Sequence, residues 1–139
     1  MAHAVPSNIF PSLTYEDAEA AIEWICRVFG FKAQLVVPGN PGSVVHSELS
    51  LGDGVVMVSS PKAEQRRVPP RSSGEGSHAL AIYVEDPDAH FANAKAHGAT
   101  ITQELQDEEF GGRGYMANDP EGHSWYFGSY RPGTYWETT

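Results

Sequence analysis

The stretch NDPEGHSWYFG at residues 118–128 combines a turn with a short aromatic strand. Proline fixes one backbone dihedral and glycine accepts the positive φ that closes a turn, so the Asp-Pro-Glu-Gly segment predicts a tight turn. Alternation after the turn places Trp125 and Phe127 on one face of a strand and Ser124 and Tyr126 on the other. One face of this strand can therefore pack into a core while the other lines a cavity.

Working outward from this stretch, the same order of elements is predicted twice. The first half gives a strand at 9–15, a helix at 16–29 that Gly30 ends, and strands at 31–37, 44–51 and 55–59. The second half gives a strand at 78–85, a helix that Asp86 caps and Gly98 ends, strands at 100–105 and 113–118, and the strand of the opening stretch. The sequence therefore predicts an α+β fold of two tandem βαβββ modules, with curled mixed sheets around a cavity.

The length of 139 residues suits one domain, 1–139. Within it we expect module one at about 7–60, a linker rich in Pro, Gly, Ser and Arg at about 61–77, module two at about 78–130 and a C-terminal tail at 131–139. The linker arginines Arg66, Arg67 and Arg71 could bind an anionic substrate, but on an acidic protein they are interpreted as a solvated loop.

Composition narrows the class of partner. A formal net charge of -9 argues against binding to a phosphate backbone and leaves neutral or cationic small molecules. Cys26 is the one cysteine, so an intrachain disulfide is excluded, and the first ten residues lack the pattern of a secretion signal. No apolar run approaches the roughly 20 residues of a membrane span. We expect a cytoplasmic protein that binds neither nucleic acid nor membrane.

Candidate ligand-binding residues follow from the faces of the predicted strands. The sheet face opposite each helix should line the cavity, and the candidates on it or beside it are Phe10, Ser12, His46, Glu48, Met57, Tyr83, Arg113, Tyr115 and Tyr126. His46 and Glu48 share one face, so they could do acid-base work, bind a polar ligand or form a solvated surface. Arg113 and Tyr115 could bind a ligand carboxylate or carbonyl, or Arg113 could pair with acids at 107–109.

Four segments together resemble the vicinal oxygen chelate superfamily, the group of glyoxalases, bleomycin-resistance proteins and extradiol dioxygenases. They are PSLTYEDAEAAIEWICRVFGF, HSELSLGDGVVMVSS, ALAIYVEDPDAHFANAKAHGATI and DPEGHSWYFGSY. HSEL, GDGVVM and DPEGHSW most resemble the glyoxalase-like branch that includes PhnB-type proteins. The resemblance implies the paired-module fold and a homodimer. It does not fix the activity, because metal enzymes and metal-free binding proteins share this fold.

The resemblance also implies where a divalent metal would be held. The corresponding positions here are Phe10 and Ala79 in the first strands of the two modules and Tyr126 in the last strand of module two, and Met57 falls near the fourth position. Phenylalanine and alanine offer no lone pair, thioether sulfur is a soft ligand and a neutral phenol is a poor one, so we predict no metal cofactor. The alternative is a relocated site in which a bulge turns His78 inward to join His46, Glu48 or His123.

Three functions remain open at the level of sequence. The first is metal-free binding of a small, flat, cationic compound in an aromatic-lined cavity, as the acidic balance favours. The second is a divalent-metal-dependent lyase, isomerase or dioxygenase of the same superfamily. The third is a metal-free enzyme in which His46 or Glu48 is the general base.

Overall fold

The computed structural model describes residues 6–70, 76, 78–134 and 136, and it contains two helices and eight strands in that part of the chain. The first module comprises β1 (Ser12–Thr14), α1 (Ala18–Phe29), β2 (Lys32–Pro38), β3 (Val44–Leu51) and β4 (Gly54–Ser59). The second comprises β5 (Leu80–Tyr83), α2 (Pro87–Ala96), β6 (Thr100–Asp107), β7 (Arg113–Asn118) and β8 (Ser124–Gly128). A single turn of 3-10 helix, Ala63–Gln65, lies between the modules.

The eight strands form two four-stranded mixed sheets with the same topology. Their orders are β1-β4-β3-β2 and β5-β8-β7-β6. In each sheet the first strand pairs in parallel with the last strand of its module, and the other pairs are antiparallel. The sheets are curled and not closed, so the predicted α+β fold of two tandem βαβββ modules is confirmed.

Element bounds differ from the prediction mainly in the first strand of each module. The strand predicted at 9–15 is reduced to β1, because Pro11 has no N–H to donate, although its carbonyl still accepts from Met57 N at 2.9 Å. The strand predicted at 78–85 is reduced to β5, while β6 extends two residues beyond its predicted end at Leu105. The linker residue Arg71 lies outside the described part of the chain.

The second module caps both ends of α1. At its start, Asp17 accepts from Ala20 N, and the Glu121 carboxylate of the β7–β8 turn accepts from Glu16 N at 2.6 Å and Asp17 N at 3.0 Å. At its end, two side chains of α2 donate to the last carbonyls of α1, His90 to Phe29 O at 2.8 Å and Asn93 to Val28 O at 3.1 Å. Groups that a helix end leaves without internal partners are thus satisfied across the module boundary.

One apolar core is shared by both modules. Phe29 of α1 packs against Trp125 and Phe127 of β8, with ring centroids 5.1 and 4.7 Å away, and all three side chains are fully buried. The placement of Trp125 and Phe127 confirms the alternation predicted for the last strand. Beside them the buried carboxylate of Asp119 accepts from the indole N–H of Trp125 at 3.0 Å and from the hydroxyl of Tyr15. The Asp-Pro-Glu-Gly turn that begins at Asp119 is therefore part of the interface between the modules.

No helix among the described residues has the length and apolar character needed to cross a membrane.

Candidate functional site

Each sheet presents an open face on the side opposite its helix, and one row of residues crosses each open face at an equivalent position. In the first sheet Met57 of β4 is flanked by Ser12 of β1 and Glu48 of β3. In the second sheet Tyr126 of β8 is flanked by Ala81 of β5 and Met116 of β7. Residues paired in this way point to the same side of a sheet. The structure therefore brings together several of the predicted site residues on these open faces.

The open face of the first sheet is polar. The His46 and Glu48 side chains lie two residues apart on β3, and His46 Nε2 is 2.7 Å from Glu48 Oε2. Each side chain is partly exposed, 37% for His46 and 43% for Glu48, so both are accessible to a small molecule. A histidine paired with a carboxylate can accept or donate a proton, or fix the orientation of a polar ligand.

Two clefts lie where the sheets meet, between the edges formed by β1 and β5. One has a volume of about 590 Å³, and its lining includes Ile9, Phe31, Val55, Tyr83 and Arg131. The other has a volume of about 720 Å³ and is lined by β1, the linker and the start of β8. Pro11, Leu80 and Ala81 line both, so the two clefts are neighbours across the same edges.

Tyr83 presents an aromatic surface to the smaller of these clefts. Its side chain is 43% exposed, and the guanidinium carbon of Arg131 lies 4.7 Å from the centre of its ring. A cation at this distance is attracted to the ring face. The same ring also lines a third cavity of about 300 Å³, whose other walls include Tyr126 and Tyr130.

The Tyr126 side chain lies on the open face of the second sheet, packed across Gly114 and Gly128, where a larger residue would collide with its ring. Its hydroxyl is buried and has no hydrogen-bond partner of good geometry among the described residues. Burial raises the pKa of the phenol, and the nearby charge of Glu108 raises it further. Tyr126 is therefore a neutral hydroxyl in an apolar cavity.

Arg113 and Tyr115 lie on the helix-facing side of the second sheet and not on its open face. Arg113 is paired with Asp107 at 3.2 Å, one of the acids considered from sequence, and also with Asp88 of α2 at 2.9 Å. The Tyr115 hydroxyl is 2.7 Å from His90 Nδ1, and burial raises the pKa of this phenol. The physical reason is strand alternation, because Tyr115 pairs with the buried Phe127. Phe10 precedes β1 and is 40% exposed.

The residues present do not fit a divalent metal. Phe10, Met57 and Ala79 carry no hard donor, and the raised pKa of the Tyr126 phenol keeps that oxygen protonated. Nor does the described part of the chain hold a group of three His, Cys, Asp or Glu side chains placed to share an ion. His78 lines the 720 Å³ cleft, and His123 donates from Nε2 to the Thr14 carbonyl at 2.8 Å, a local contact at the end of the sheet.

Arg67 is the residue at the open face that sequence reasoning missed. It was expected in a solvated loop, but its guanidinium donates to the hydroxyl of Ser12 and, at 3.5 Å, to that of Ser59. Ser59 itself is buried. The linker has no apolar periodicity, so only the backbone conformation of the loop reveals which of its arginines turns inward.

Comparison with known proteins agrees with this architecture. Residues 2–127 match the family described as Glyoxalase/Bleomycin resistance protein/Dioxygenase superfamily. An uncharacterised protein of Mycobacterium tuberculosis (strain CDC 1551 / Oshkosh) is 30% identical over 131 residues, covering 92% of this chain and 77% of its own. The crystal structure of TioX from Micromonospora sp. ML1 superposes with a TM-score of 0.69 at 38% identity, covering 88% of this chain and 97% of that one.

The crystal structure of a lactoylglutathione lyase from Agrobacterium tumefaciens has the same fold at lower sequence identity. It superposes with a TM-score of 0.65 at 20% identity, covering 88% of this chain and 92% of that one. At this identity the likeness shows the fold alone. The family match and the relatives at 30% identity or more extend over nearly the whole chain. The protein belongs to the glyoxalase/bleomycin resistance protein/dioxygenase superfamily.

Proposed function

We propose that this protein binds a small, flat compound in the cleft between β1 and β5 without the help of a metal. The observation that carries the proposal is the cleft of about 590 Å³, in which the half-exposed ring of Tyr83 stands among apolar side chains. A concave, mostly apolar site with few polar groups is the usual form of a small-molecule site. The ligand's flat part would stack on Tyr83, because an aromatic face favours planar groups and cations.

The chemistry of the donor set supports binding without a metal. Ser12 pairs with Met57 on one open face, and Ala81 pairs with Tyr126 on the other. None of these side chains is a strong ligand for Mg²⁺, Mn²⁺ or Zn²⁺ as it stands here. The site therefore suits recognition better than chelate chemistry.

Several finer assignments belong to the same proposal. The sequence motifs favour the PhnB-type branch, and a cytoplasmic homodimer is expected. Net charge alone favours a cationic ligand, whereas the local contacts of Arg67, described below, favour an anionic one. The edge strand β2 is suited to an interface with a second copy, since Leu35, Val36 and Val37 are each 38% to 45% exposed on it.

The proposal is tested by replacing the aromatic face. We expect calorimetric titration with a panel of two-ring aromatic compounds to identify a saturable ligand that binds with one-to-one stoichiometry. Tyr83→Ala should weaken its binding by about tenfold, because stacking on an aromatic side chain contributes roughly 1–1.5 kcal/mol. The matched control is Val36→Ala, a truncation of an equally exposed apolar side chain on β2.

Two outcomes would contradict the proposal. One is the absence of saturable binding across the panel. The other is binding that Tyr83→Ala and Val36→Ala weaken equally, which would place the ligand outside the cleft.

A second candidate function is favoured by the 2.7 Å contact between His46 Nε2 and Glu48 Oε2. This pair could act as general base and its orienting carboxylate in a metal-free enzyme that removes a proton from a bound compound. Conversion of the identified ligand to a product, lost in His46→Gln, would support this candidate over simple binding.

A further inference from the structure

The loop that carries Arg67 has a fixed and unusual backbone conformation. Lys62 and Arg67 are bridged by backbone hydrogen bonds in both directions, Lys62 N to Arg67 O at 2.9 Å and Arg67 N to Lys62 O at 3.1 Å. Between them Arg66 has a φ of +57°, the one positive φ at a non-glycine residue among those described. Residues other than glycine rarely adopt this conformation, and where they do the surrounding structure must hold them in it. The loop is therefore a built feature that presents Arg67 in one direction.

That direction is toward the open face of the first sheet. The guanidinium contacts Ser12, the β1 member of the row that continues through Met57 to Glu48. Ser12 also lines the 720 Å³ cleft, which adjoins the cleft containing Tyr83 through their shared lining residues. Arg67 is thus partly buried against the open face of the first sheet, next to a residue of the 720 Å³ cleft.

The charge of Arg67 is not neutralised within the described part of the chain. No described carboxylate forms an ion pair with it, although the sequence carries 18 acidic residues. The nearest acid of its own row, Glu48, is two strands from Ser12, which corresponds to about 9–10 Å between backbones, and it is paired with His46. Arg67 makes both of its serine contacts through a single terminal nitrogen, Nη2. A guanidinium has five N–H donors, so most of its fork is left to bind another group.

We propose that Arg67 recognises a carboxylate on the ligand, so that the compound bound in the cleft is a flat molecule bearing an anionic oxygen group. This inference rests on the proposed function. Arg131 also lines the cleft, but its guanidinium lies over the Tyr83 ring, so we assign the anchoring contact to Arg67. A guanidinium binds a carboxylate through two parallel hydrogen bonds, which are shorter and stronger than those between neutral groups. The serines hold the guanidinium in position before the ligand arrives, which reduces the entropy lost on binding.

Three probes with the same ring system separate the possible ligand charges. They are 2-naphthoate, the neutral 2-naphthamide and the cationic 2-naphthylmethylammonium, each titrated calorimetrically into the full-length protein. We expect the carboxylate to bind about tenfold more tightly than the amide and the cation to bind no better than the amide. Arg67→Gln should abolish the preference for the carboxylate and leave the affinity for the amide unchanged. Arg67→Lys should retain part of the preference, because it keeps the charge but loses the fork.

The matched control is Arg66→Gln, which removes the same charge from the neighbouring exposed position of the same loop. It should leave the preference for the carboxylate intact. Thermal unfolding of all variants establishes that each is folded at the titration temperature. Equal binding of the three probes, or an equal loss in the Arg66 and Arg67 variants, would overturn the role of Arg67 while leaving the proposed function standing. If none of the three probes binds, both inferences are overturned.

Discussion

His90 joins three parts of the molecule through a single imidazole ring. Nε2 donates to the Phe29 carbonyl at the end of α1, so Nδ1 is left to accept from the Tyr115 hydroxyl at 2.7 Å. Burial lowers the pKa of this histidine, an effect that the hydrogen bond to Phe29 only partly opposes. The ring is therefore neutral in the fold, and protonation of Nδ1 would remove the acceptor that the Tyr115 hydroxyl uses.

This arrangement predicts a specific dependence of stability on pH. Because the folded-state pKa of His90 lies below the unfolded value of about 6.5, the unfolded chain takes up a proton first as the pH falls. The contribution of neutral His90 to the free energy of unfolding should be complete above about pH 6.5 and decrease below it. The loss is at most about 1.4 kcal/mol for each pH unit between the two pKa values.

Urea denaturation at pH 8, 6 and 5 measures this loss, with His90→Gln as the comparison. Glutamine cannot be protonated, so the variant should lose less stability than the original protein between pH 8 and pH 5. His97→Gln is the matched control, since that histidine is exposed and its ring contacts the Asn93 carbonyl of its own helix. If the free energy of unfolding fell equally with pH in the original protein and in His90→Gln, the buried imidazole would not be the cause of the decrease.

At the scale of elements, α1 depends on the turn that precedes β8. The Glu121 carboxylate accepts two backbone N–H groups just ahead of the helix, and its negative charge lies near the positive end of the helix dipole. We predict that Glu121→Ala lowers the free energy of unfolding by about 1–2 kcal/mol, because two N–H donors lose their partner and the dipole loses its charge. Urea denaturation at neutral pH measures the change.

Glu109→Ala is the control for this prediction, since Glu109 is an exposed acid in the turn between β6 and β7. It should change the free energy of unfolding by less than about 0.5 kcal/mol. A similar loss in both variants would mean that net charge, and not the contact between modules, sets the effect.

At the scale of the whole molecule, the two modules supply equivalent open faces of different character. On the open face of the first sheet, serine, histidine and glutamate surround Met57, whereas alanine, methionine and tyrosine form the row across the second. A ligand spanning both would therefore meet a polar surface at one end and an apolar, aromatic one at the other. The difference lies in side chains alone, because the topology of the two sheets is the same.

The same open faces predict the outcome of a metal analysis. Mass spectrometry of the untagged protein should find no divalent metal at near-stoichiometric level, and reloading with Mn, Ni, Zn or Fe(II) after chelation should restore none. Affinity for the identified ligand should be unchanged by chelator. Stoichiometric retention would instead make His78, His46 and Glu48 the first candidates for mutation, and the proposal of metal-free binding would be withdrawn.

The sequence by itself determined the repeated order of elements and the inward face of the last strand, β8. Two local patterns made this possible: the helical periodicity that ends at Gly30, and the alternation of Trp125 and Phe127 with Tyr126. The structure confirms both, because intrinsic propensity and burial agree at these positions. The length of β1 was less predictable. Its pairing with β4 depends on contacts distant in sequence, and Pro11 limits it.

Only the tertiary structure decided which side chains meet. Arg113 and Tyr115 were predicted to face the cavity, but the register of β7 against β8 turns them toward α2. Arg67 was placed in solvent, but a loop closed by Lys62 and the positive φ of Arg66 turns it onto Ser12. The physical reason is the same in both cases. A residue's face or direction can be set by one hydrogen-bond register or one backbone dihedral, which neither composition nor periodicity records.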